Sequence, residues 1–134
     1  MKIGLDTSFI LRLLTGAPEA QASLALMEMR AILERGATLV VSDMVASEVY
    51  FALQHHYGVP KAEALSLIGQ FLNERGVESL GVAKAVLEVP NLATANPGFV
   101  DRLIQGEYMK SVKEILSFEK AGGRLTGVRV LRGA

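Results

Sequence analysis

Four carboxylic acids stand where a folded chain of alternating strands and helices would put its chemistry. Asp6 ends the opening run Met1-Lys2-Ile3-Gly4-Leu5, and Glu119 follows directly on Ile115-Leu116-Ser117-Phe118. In an open parallel sheet the working crevice lies beyond the carboxyl ends of the strands, which is where both acids fall. Val45, Glu48, Val49, Ala52 and Leu53 recur at helical spacing, which sets a carboxylate inside an apolar face. Asp101 repeats that pattern with Ile104 and Tyr108, beside Val100 and Leu103. A buried carboxylate costs several kcal/mol unless it is protonated, paired or bound to a cation. Each acid also has a plainer reading: Asp6 as a helix cap, Glu119 as an exposed turn residue, Glu48 and Asp101 as halves of salt bridges. Four acids at one strand edge are less easily explained four times separately. Hard oxygen donors, with no His or Cys among them, suit Mg²⁺ or Mn²⁺ rather than zinc.

The elements that would carry these acids follow from periodicity and punctuation. A strand over residues 1–6 runs into a helix through Phe9, Ile10, Leu13 and Leu14 that ends at Thr15-Gly16. Pro18-Glu19 opens a second helix reaching Arg35, and Thr38-Leu39-Val40-Val41 reads as a buried strand. Ser42-Asp43 caps a helix over 44–57, and Pro60 opens another whose Ala64, Leu65, Ile68, Phe71 and Leu72 form a core-facing stripe ending at Gly76. Residues 77–80 make a short strand, 82–89 a short helix, and 90–97 a loop rich in Asn, Thr and Pro. A helix over 98–112, a strand over 114–118, a Gly122-Gly123 turn and a strand over 128–131 complete the chain. Strands separated by helices imply an α/β fold: a parallel sheet flanked by helices on both faces.

Composition narrows the partners. The 134 residues suit one domain, and half of them are hydrophobic, enough for a sizeable core. Lys plus Arg equals Asp plus Glu at 14 each, which excludes a globally basic nucleic-acid or membrane-surface binder. With no cysteine, a disulfide scaffold, a thiol nucleophile and a zinc–thiolate site are all excluded. No apolar run reaches membrane-spanning length and the N-terminus has no signal-peptide pattern, so a cytoplasmic location is expected. His55-His56 are a poor chelating pair, because adjacent helical residues point about 100° apart. The helix over 18–35 carries Leu24, Leu26, Met27, Met29, Ile32 and Leu33, more apolar surface than one stripe needs. That surplus, together with Phe71 and Leu72, is expected to meet a partner.

The ordered motifs resemble those of PIN-domain nucleases. Leu5-Asp6-Thr7-Ser8 is similar to the family's first motif, Val45-Ala46-Ser47-Glu48-Val49 to the second, Phe99-Val100-Asp101-Arg102-Leu103-Ile104 to the third and Leu116-Ser117-Phe118-Glu119 to the fourth. Size and element order resemble the VapC-type toxins of toxin–antitoxin pairs, and the resemblance covers essentially the whole chain as one domain, 1–134. It implies a metal-dependent endoribonuclease of PIN fold. Carried over, Asp6, Glu48 and Asp101 are the metal-site acids and Glu119 the fourth acid, with Ser8 and Ser117 as supporting polar groups. Arg12 and Arg102, with Lys120 and Arg124, would border the RNA cleft. A homodimer and a protein antitoxin are the implied partners. The chain departs from the pattern at Glu119, where Asp is usual, at Ala121, where a second acid is usual, and at Gln105-Gly106-Glu107 in place of small aliphatic residues. Two readings compete. One is a catalytically weak PIN-like protein that binds RNA or a partner. The other is a doubly wound phosphatase or receiver-like domain, disfavoured by the single acid at the first strand's end.

Overall fold

The computed structural model describes residues 1–132, so the last two residues of the expected 1–134 domain lie outside it. The described residues form two compact units, 1–80 and 81–132. The first contains strands β1 (Lys2–Gly4), β2 (Thr38–Val41) and β3 (Val77–Ser79), in the order β1-β2-β3 and parallel throughout. Helices α1 (Thr7–Thr15) and α2 (Glu19–Glu34) connect β1 to β2; α3 (Asp43–His55) and α4 (Lys61–Leu72) connect β2 to β3. Parallel strands need such crossovers, and the helices cover the strands' apolar side chains. Lys2 stands opposite Thr38 and Gly4 opposite Val40, so β1 and β2 end together.

The second unit holds α5 (Ala83–Val86), a 3₁₀ turn at Leu92–Thr94, α6 (Phe99–Tyr108), β4 (Ile115–Ser117), a second 3₁₀ turn at Lys120–Arg124 and β5 (Val128–Val130). β4 and β5 are also parallel, Ile115 facing Val128 and Ser117 facing Val130. The architecture is the α/β class expected, a parallel sheet flanked by helices. The structure adds detail to two local readings. The Gly122-Gly123 turn is part of the second 3₁₀ turn, which returns the chain to a parallel neighbour rather than reversing it. The loop over 90–97 contains the first 3₁₀ turn, with Leu92 buried. Among the described residues no helix is long and apolar enough to cross a membrane.

The core of the first unit is built from the apolar faces of the helices and the central strand. Leu39 and Leu53 are fully buried, with Val49, Ile68 and Leu72 nearly so. Phe71 and Leu72 are therefore core residues and not the partner-facing surface expected of them. By contrast, Leu24 and Met27 on α2 are 58% and 66% exposed and Leu26 is exposed as well, so half of that helix's apolar set stays on the surface. In the second unit Phe99 and Leu103 of α6 are buried, with Ala83 of α5. Gly106 explains itself here: a Cβ at that position would lie 2.6 Å from Val82 Cγ2, so the gap in α6 admits the Val82 side chain. That close approach accounts for a glycine where small aliphatic residues were expected.

Gly76 gives a prediction. It turns the chain from α4 into β3 at φ +88°, a left-handed conformation, and an added Cβ would collide with the Leu33 side chain. Gly58 also has positive φ, +65°, but open space around it. Urea unfolding should show Gly58→Ala costing about 1–2 kcal/mol and Gly76→Ala costing distinctly more.

Candidate active site

The first unit holds two of the expected acids, Asp6 and Glu48, on segments joined by a hydrogen bond. Asp6 follows β1 as the N-cap of α1, with extended backbone, and its Oδ1 accepts the Phe9 N–H at 3.0 Å. The Ser8 hydroxyl donates to the same oxygen at 2.9 Å. These bonds, the Phe9 amide first and Ser8 second, hold the Asp6 carboxyl below the usual carboxylate range. The side chain is therefore firmly ionised. Oδ2 has no hydrogen-bond partner among the described residues.

Glu48 joins this segment through a residue the sequence had not singled out. The Thr7 hydroxyl donates to Glu48 Oε1 at 2.8 Å, tying the first turn of α1 to the middle of α3. Thr7 sits at the first helical position beside the Asp6 cap, and its neighbourhood was the only signal in the sequence. Glu48 is not buried as expected. The face of α3 that packs inward is Ala46, Val49, Ala52 and Leu53. Glu48 stands one residue before Val49, roughly 100° around the helix, and so falls on the flank. Its side-chain hydrogen-bond partner is a hydroxyl and not a basic side chain.

The remaining acidic candidates lie in the second unit. Asp101, in the first turn of α6, is exposed, as are Ile104 and Tyr108, so the stripe they form does not face the core. All three instead line a cleft of about 220 Å³, together with Ser117, Leu116 and Leu125. Ser117 shares that cleft with Asp101 and its Oγ accepts the Glu119 N–H at 3.0 Å, which sets the chain direction leaving β4. Glu119 lines an adjoining depression with Lys120 and Arg124, and the Arg124 Nη1 donates to the Asn96 carbonyl at 2.7 Å. Two arginines are partly engaged: Arg12 Nε with Gln21 Oε1 at 2.6 Å and Arg102 Nε with the Pro97 carbonyl at 2.8 Å.

Asp6, Glu48, Asp101 and Glu119 form no ion pair among the described residues, which removes the salt-bridge reading of Glu48 and Asp101. The chemistry of the donors fits a hard divalent cation: carboxylate oxygens, no nitrogen or sulfur, and no ion pair among the described residues. Among the described residues no group of three or more His, Asp and Glu is arranged to hold a metal ion. His55 and His56 end α3 and pack against Phe51, away from any chelating arrangement.

A family model for the PIN domain matches residues 3–105 of the chain. Comparison with curated proteins and with solved structures found no match. The chain belongs to the PIN domain family, whose members are generally nucleases that use divalent metals. The matched span contains Asp6, Glu48 and Asp101 and ends before Glu119.

The cap on α1 gives a pH prediction. A folded carboxyl held below its ordinary range contributes stability that is present above the unfolded pKa, about 3.9 for Asp, and is lost as pH falls through the lower folded value. In thermal melts from pH 7 to pH 3, the Tm of the parent relative to Asp6→Asn should fall on the acid side. Asp6→Ala, which removes the capping oxygen, should cost about 1 kcal/mol at neutral pH.

Proposed function

We propose that this chain is an endoribonuclease that hydrolyses RNA phosphodiester bonds with Mg²⁺ or Mn²⁺, acting as the toxin of a cytoplasmic toxin–antitoxin pair. The observation that carries the reading is the linked set Asp6–Ser8 and Thr7–Glu48 at the strand end of a PIN-family chain. In this proposal residues 1–134 work as one domain, with Asp6 and Glu48 holding the ion and Asp101 as the third acid of the family pattern. When bound, such an ion lowers the pKa of water and compensates charge on the phosphate.

The chain's own groups supply the rest. Ser8 and the Phe9 amide hold Asp6 Oδ1, which leaves Oδ2 for the ion. Thr7 fixes Glu48 through Oε1, which leaves Oε2 to face the ion. Glu119 is the fourth acid, positioned through Ser117. Arg12 and Arg102 present guanidinium N–H groups beyond the engaged Nε to the RNA backbone. The exposed Leu24, Leu26 and Met27 on α2 support a protein contact, either a second copy or an antitoxin segment.

Cleavage of a panel of structured and single-stranded RNAs tests the reading. The parent should cut at least one with Mg²⁺ or Mn²⁺ and none in EDTA. Asp6→Asn and Glu48→Gln should each lower the rate roughly a hundredfold or more while folding normally. Activity that survives both substitutions and EDTA would overturn the metal mechanism. Binding without cleavage of any RNA would favour the weak binding protein instead.

A further inference from the structure

Phe51 is a phenyl ring left in the open one helical turn beyond Glu48. It is 55% exposed, and it belongs to an outward stripe of α3 formed by Met44, Glu48, Phe51 and His55. The ring is not loose. The His55 imidazole lies against it with centroids 4.3 Å apart and planes at 35°, and His56 meets it at 5.9 Å and 71°. Two imidazoles therefore fix an aromatic ring that the core does not use. The helical rise places Phe51 only about 4.5 Å further along the axis than Glu48. Thr7 in turn ties Glu48 to the Asp6 segment.

We propose that Phe51, braced by His55, is the platform on which an unpaired base of single-stranded RNA stacks beside the scissile phosphate. The inference rests on the nuclease reading above and assigns that site a base-binding position. Two imidazoles border the ring, and their N–H groups suit a nucleotide better than an aliphatic protein patch. Every base offers a π-face to an aromatic side chain, so stacking tolerates any sequence but requires an unpaired strand. The imidazoles add N–H donors for a phosphate or a base edge. An aromatic ring at this distance would orient the strand without taking part in bond cleavage, which makes Phe51 a positioning residue.

The test uses Phe51→Leu, which keeps apolar bulk without the π-face, and Phe51→Tyr, which keeps both. Two readouts are taken on the full chain: kcat and KM for a labelled single-stranded oligouridylate with Mg²⁺, and anisotropy of the same oligomer in EDTA. Phe51→Leu should raise KM and weaken binding in EDTA roughly 5- to 100-fold, with kcat within about twofold. Phe51→Tyr should match the parent, and binding to duplex RNA should not change in either variant. Parent-like KM and binding in Phe51→Leu would overturn the platform while leaving the nuclease intact. A change in oligomeric state by light scattering, with RNA binding unaltered, would overturn it in favour of contact between copies. Loss of RNA binding in Phe51→Leu of a parent that cleaves nothing would uphold the platform and sink the nuclease reading instead.

Discussion

The site in the first unit depends on β1 and β2 running parallel and ending together. Gly4 is paired with Val40, and the Leu5 N–H continues the ladder to the Val40 carbonyl at 2.9 Å. The segments that leave those strands must therefore emerge side by side, and each begins a helix: α1 capped by Asp6, α3 capped by Ser42. Everything chemical in this unit hangs on that coincidence. An antiparallel pairing, or a shift of register, would carry the start of α1 away from α3 and break the Thr7–Glu48 bond. Leu39, Val49 and Leu53, all essentially buried, keep the register by giving β2 and α3 one dry face.

Asp6 uses its two oxygens differently. Capping the helix uses Oδ1 and lowers the pKa, so the side chain stays ionised while its cap is in place. Stability and chemistry are thus not opposed at this position. At Glu48 they are separated instead: exposure spares the protein the cost of a buried charge, and a hydroxyl rather than a cation orients the side chain. Carboxylates left without basic partners repel one another and an RNA backbone alike. A divalent ion relieves both repulsions, which is the physical reason for reading these acids together.

Much of this was legible before any coordinates. The β-branched run Thr38–Val41 is β2 to the residue, and the caps at Asp6 and Ser42 lie where their side-chain chemistry requires. The acids were found by type and position relative to strands, which the order of elements preserves. What failed was the assignment of faces. A set such as Val45, Glu48, Val49, Ala52 and Leu53 spans more than one side of a helix, and periodicity alone does not locate its centre. Neighbouring elements decide that, and they chose Ala46 over Glu48. The same error put Asp101, Ile104 and Tyr108 toward the core when they line a cleft. Thr7 and Phe51 escaped notice because a lone hydroxyl or phenyl carries no pattern until its partner is in place.

The central claim is that Asp6 and Glu48 belong to a divalent-cation site, and calorimetric titration of Mn²⁺ into the parent and into Asp6→Asn addresses it without any substrate. The account predicts saturable binding to the parent and at least roughly tenfold weaker binding to the variant, with both proteins equally folded. Equal binding by the two proteins, or none by the parent, would contradict it.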